Sequence, residues 1–128
     1  MSLEYDDVFY MRRAHPERTS TKHCVINTIF RRQLDGRAFL NDPDVFILRD
    51  DNVKMSYEQK ENLAIINGLF GSVLFMSDDA SKYDERKKKL YEKVTELKGK
   101  ADFIDYVDDV AIVRYDDGGT KKEIRIRR

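Results

Sequence analysis

Apolar residues recur at three- and four-residue spacings along the first hundred positions, and after Gly99 they alternate with polar ones. From Thr19 to Leu34, the residues Val25, Ile26, Ile29, Phe30 and Leu34 form one stripe, which predicts an amphipathic helix. Ser20 or Thr21 can cap it by accepting a hydrogen bond from a free first-turn N–H. Asp35-Gly36 ends it. A second helix opens at Ser56, with Gln59 three residues on in a capping-box arrangement. Leu63, Ile66, Leu69 and Phe70 bury one side of it, and Ala64 and Ile65 widen the stripe. Gly68 and Gly71 either permit close packing or close the helix. A third helix is predicted from Asp79 to Lys98, with Tyr83, Leu90, Tyr91, Val94 and Leu97 inward. Lys87, Lys88, Lys89 and Lys93, with Glu85, Glu92 and Glu96, line its outer face as solvated pairs worth a few tenths of a kcal/mol each. Gly99 suits its C-terminal cap.

Two short apolar runs read as buried strands, near residues 37–42 and 72–77. The first leaves the turn at Asp35-Gly36 and stops at Asn41-Asp42-Pro43-Asp44, where proline has no N–H to give a central ladder. The second, Gly71 to Met76, ends in Ser77-Asp78-Asp79. A strand, a helix and a strand at this spacing suit a parallel crossover unit, and groups just past such strand ends are where sites form. Taken alone, the two polar clusters also fit solvated turns and helix caps. After residue 101 three short strands are predicted, at Phe103–Val107, Val110–Tyr115 and Lys122–Arg127. Asp116-Asp117-Gly118-Gly119 makes a hairpin turn between the last two. The fold expected is α/β: two parallel strands and three helices, then a short antiparallel segment.

The chain has 128 residues, with 24 basic and 24 acidic side chains and no net charge. That balance argues against a dedicated nucleic-acid binder. The one cysteine, Cys24, permits no internal disulfide and fits a reducing, cytoplasmic setting. No run of about 18 apolar residues exists to span a membrane. No cluster of ligands points to a metal or cofactor, and His23 reads as an ordinary surface residue. His15-Pro16 marks a break after the apolar cluster Val8-Phe9-Tyr10-Met11.

Several stretches together resemble one family. Asn41-Asp42-Pro43-Asp44, Leu48-Arg49-Asp50, Tyr57-Glu58-Gln59-Lys60, Gly68-Leu69-Phe70-Gly71 and Phe75-Met76-Ser77-Asp78 are similar, in order and spacing, to the late barrel region of melibiase-type α-galactosidases. Arg18-Thr19-Ser20-Thr21-Lys22 and Arg31 to Arg37 resemble the bacterial branch. The likeness covers roughly residues 4 to 98. It implies that residues 1–99 are the late portion of a TIM-barrel-like catalytic domain, a partial (β/α) barrel, and that residues 100–128 begin a β-rich C-terminal domain. A complete barrel needs about 250 residues, so the chain would be a piece of an enzyme. Met1-Ser2-Leu3 then reads as an added start, and a missing leader carries no weight.

Retaining glycosidases need two carboxyl groups flanking the scissile bond. The resemblance places the nucleophile far upstream, with no match here. If Tyr5 matches the family's aromatic, the acid/base Asp falls just ahead of Glu4; a slip of that short alignment leaves Asp7 in the role. No catalytic residue is thus assigned. Asn41, Asp42, Asp44, Ser77 and Asp78 would supply the supporting wall of the sugar site, with an α-galactoside as ligand only in the full-length protein. Asp42 and Asp44 as an independent hydrolase lack a positioned base or metal. The alternative is a non-catalytic interaction module that binds a protein partner through its β edge. Open edges and uncovered faces, among them Val25, Ile29 and Phe30 with Val8, Phe9 and Met11, predict a homo-oligomer, such as a symmetric dimer.

Overall fold

The computed structural model describes residues 21–38, 40–41, 43, 45–50, 53–76 and 78–127. Helix α1, Thr21–Arg31, tightens into a 3-10 turn at Arg32–Leu34. Val25, Ile26 and Ile29 carry its buried stripe. Phe30 and Leu34 were expected on that stripe but stand about half exposed, at 49% and 46%. Phe30 lies one residue, about 100° of helix, beyond Ile29, and the tighter 3-10 turn rotates Leu34 away. The Phe30 ring meets Tyr106 edge-on, 5.3 Å between centroids. Of the two expected caps, Ser20 lies outside the described residues and Thr21 is the first residue of the helix.

Helix α2, Tyr57–Phe70, begins with the expected capping box, the Ser56 hydroxyl on the Gln59 N–H and the Gln59 side chain on the Ser56 N–H. Every residue from Leu63 to Phe70 is buried, so its second half is covered on all sides rather than along one stripe. Helices α1 and α3, the latter Glu85–Thr95, pack against it. The α3 crossing is close because of Gly68: a Cβ there would lie 2.6 Å from the Val94 carbonyl oxygen. Close packing is therefore what this glycine permits.

Helix α3 starts six residues later than expected. Asp79 caps a separate 3-10 turn, Ala80–Lys82, and Asp84 caps α3 by accepting the Lys87 N–H at 2.9 Å. Tyr83 between them is extended, with its ring buried and its hydroxyl on Asp78. Leu90, Val94 and Leu97 are buried as expected, while Tyr91 is 41% exposed.

The partial (β/α) barrel is overturned. The extended sheet is an antiparallel meander of β3 (Ala101–Val107), β4 (Val110–Asp117) and β5 (Thr120–Arg127). Parallel pairing among the described residues is confined to two residues, β1 (Val45–Phe46) against β2 (Phe75–Met76), in the register Val45–Phe75 and Phe46–Met76. The strand expected at residues 37–42 does not form among its described residues. Arg37 and Ala38 instead continue a turn, both donating to the Leu34 carbonyl, at 3.1 and 3.0 Å. The Asn41 carbonyl accepts from the Ser72 N–H, and strand pairing begins beyond Pro43, at β1. The architecture is three helices on an antiparallel sheet, an α+β arrangement.

The two hairpins are both tight. Gly118 and Gly119 take φ of +59° and +93° between paired Asp117 and Thr120, as expected. Asp108 and Asp109 make the other turn at φ of +50° and +61°, a left-handed conformation that Asp tolerates better than most residues. Ala111, Val113 and Tyr115 of β4 and Ile124 and Ile126 of β5 join the helices in one core. Val25 and Ile29, expected to lack cover, are buried by the chain itself. Val8, Phe9 and Met11 lie outside the described residues.

Gly68→Ala tests the α2–α3 contact. Alanine favours helix by about 1 kcal/mol over glycine. Overpacking against a backbone carbonyl costs about 1–3 kcal/mol and cannot be relieved by one rotamer. A net loss of stability in urea unfolding is expected; a gain would mean the helices sit further apart.

Candidate functional site

Helix α2 ends inside the protein, where its last carbonyl groups have no helical partners. Asn41 meets them. Its side-chain amide donates to the Phe70 carbonyl and to the Thr28 carbonyl of α1, both at 3.1 Å. Its backbone N–H donates to Asp35 Oδ1 at 2.8 Å, and its carbonyl accepts from the Ser72 N–H at 2.8 Å. Asn41 is 2% exposed. Lys98, arriving from beyond α3, donates to the Gly71 carbonyl at 3.1 Å and pairs with Asp35. The Ser72 hydroxyl also donates to Asp35. The Asn41 N–H first, then the Lys98 ammonium and the Ser72 hydroxyl, hold the Asp35 carboxyl down at about 2.

Asp78 follows β2 and faces the segment that follows β1. Its side chain is fully covered. Oδ2 accepts from the Leu48 N–H at 2.6 Å, the Arg49 N–H at 3.3 Å and the Tyr83 hydroxyl. Oδ1 makes no hydrogen bond and faces the Arg49 guanidinium at 3.5 Å. Burial, then the Asp78 hydrogen bond, pushes the Tyr83 phenol far up, so it stays protonated and donates. Asp50 makes a third cluster next door. It bridges Lys60 of α2 and Lys87 of α3, each at 2.9 Å. The Lys60 side chain is only 3% exposed, so Asp50 balances a nearly buried cation. Lys87 and Lys93, expected on a solvated face, are mostly covered, Lys93 by its bridge to Asp117 at 2.8 Å.

Of the five expected wall residues, Asn41 and Asp78 are described; Asp42, Asp44 and Ser77 lie outside the described residues. Asn41 and Asp78 share no hydrogen-bond partner: one serves the end of α2 and the other the ends of β1 and β2. Both spend their polar atoms mainly on backbone groups. A carboxylate oxygen that accepts from two N–H groups and a phenol holds a loop in place. Asp35, Lys98 and Tyr83 were not singled out beforehand as polar partners. Asp35 reads locally as a helix stop, and its partner Lys98 lies 63 residues on.

No group of three or more His, Cys, Asp or Glu side chains placed to hold a metal occurs among the described residues. Among them too, no helix is long and apolar enough to cross a membrane. No family model matches the sequence.

The Asp35 shift makes a pH prediction. A carboxyl lowered from 3.8 to about 2 contributes stability that is present above pH 3.8 and lost as pH falls towards 2. Asp50 is lowered to about 2 as well, by Lys60 and then Lys87, and adds to the same window. Asp35→Asn should therefore flatten, without abolishing, the fall in stability between about pH 4 and pH 2. Denaturant unfolding across that range measures the slope, and an unchanged slope would show that Asp35 is not held as described.

Proposed function

We propose that this chain is part of a glycoside hydrolase of the α-galactosidase type, that it helps form the wall of a sugar site, and that it is not catalytic by itself. The ordered likeness of residues 4 to 98 to melibiase-type enzymes carries this reading, with Arg49, Asp50 and Asp78 gathered after the short β1 and β2. The same likeness supports the substrate class. Asn41 and Asp78 act in it as positioning residues, through the segments that they fasten.

The catalytic step needs a nucleophile and an acid/base that this sequence does not match. Losing members of a catalytic group removes most of the rate. The purified chain should leave 4-nitrophenyl α-galactoside intact in an assay free of host enzyme. Turnover on the order of 1 per second or more would contradict this and point to Asp7, Asp42 or Asp44. The natural gene decides the rest. A reading frame that continues upstream through two candidate catalytic carboxylates supports the reading. A stop codon directly upstream contradicts it and leaves the interaction module, whose open edges are β3 and β5.

A further inference from the structure

A groove of about 320 Å³ lies between the end of α1 and the β3–β4 hairpin, away from the strand ends of β1 and β2. Ile29, Ile104 and Ala111 form its apolar floor, and the Phe30 and Tyr106 rings stand beside it. Its size falls in the range of small-molecule sites. One cation enters it. The Arg32 guanidinium is partly buried, and one of its N–H groups donates to the Ile29 carbonyl at 2.7 Å. No carboxylate among the described residues pairs with it. Asp105 also lines the groove, but its carboxylate turns back onto the Tyr106 N–H at 2.8 Å.

Capping the last turn of α1 accounts for one of the five N–H donors on Arg32. It does not account for the rest of the guanidinium, which lines a groove of mixed polar and apolar surface and whose pKa is pulled down by burial, which penalises the charge. A planar guanidinium whose remaining donors meet no carboxylate among the described residues matches a carboxylate ligand, which it can hold with two parallel hydrogen bonds. We propose that the groove binds a small organic carboxylate, its acid group on Arg32 and its apolar body against Ile104, Phe30 and Tyr106. The pairing would supply a countercharge that no described carboxylate provides, and the apolar floor would select a ligand with a ring or branched chain over a bare anion. This proposal is independent of the glycosidase reading.

The test is a titration of the full ¹⁵N-labelled chain with benzoate, followed by NMR, beside acetate (charge without body) and benzyl alcohol (body without charge). Benzoate should shift the Ile104 and Tyr106 amides and the Arg32 side-chain N–H, and bind at least tenfold more tightly than either control. Arg32→Gln should weaken benzoate tenfold or more, and Arg32→Lys, which keeps a point charge, should weaken it less. Equal binding of benzoate and benzyl alcohol, shifts elsewhere on the protein, or no binding would each overturn the proposal. So would an Arg32→Gln protein that binds benzoate unchanged. Should Arg32→Gln fail to fold, the three-ligand comparison on the unaltered chain still decides it.

Discussion

Helix α2 is buried up to its last residue, and that obliges its final carbonyl groups to find donors from outside the helix. An unpaired polar group in such a place costs about 1–3 kcal/mol. The Gly71 N–H returns to the Asn67 carbonyl at 2.8 Å, which uses one local donor. The Phe70 carbonyl takes the Asn41 amide, and the Gly71 carbonyl takes Lys98. Both donors are brought in by chain that is remote in sequence. Asp35 then gathers the Asn41 backbone, Ser72 and Lys98 around one charge. Through these contacts the end of α1, the start of the path into β2 and the exit from α3 are all placed.

This constraint changes what the polar residues mean. Asn41 and Asp78 stand near the ends of short apolar segments, where ligand-binding groups are commonly found. In the folded chain each is first a fastening. Asn41 joins α1 to α2, and Asp78 ties the segment after β1 to Tyr83. A site built here would take its shape from these fastenings, with exposed groups nearby touching the ligand. The groove at Arg32 is a different sort of place: an apolar floor, aromatic sides and a cation without a carboxylate partner among the described residues.

What could be read from the sequence was what local physics decides. The stripe Val25-Ile26-Ile29, the Ser56–Gln59 capping box and the Gly118-Gly119 turn depend on neighbours a few residues away, and each formed. The three strands after residue 101 followed from period-2 alternation. Long-range effects were not legible. Residues 37–42 looked like a strand because a short apolar run there follows a turn, but the Asn41 side chain is claimed by two helices and strand pairing waits until Val45. The start of α3 moved because Tyr83 is extended and buried with its hydroxyl on Asp78, which divides an otherwise continuous helical pattern into a 3-10 turn and α3. Asp108-Asp109, the gap between two expected strands, turns at positive φ without a glycine.

The buried end of α2 depends most on Asn41 as its donor. Replacing it with alanine deletes the hydrogen bonds to Phe70 and Thr28 and leaves covered carbonyls behind. The direct measurement is the urea unfolding free energy of Asn41→Ala against the parent at neutral pH. A loss of about 2–4 kcal/mol, with the transition still cooperative, is the predicted result. A change within about 0.5 kcal/mol, the range of an ordinary surface substitution, would contradict it.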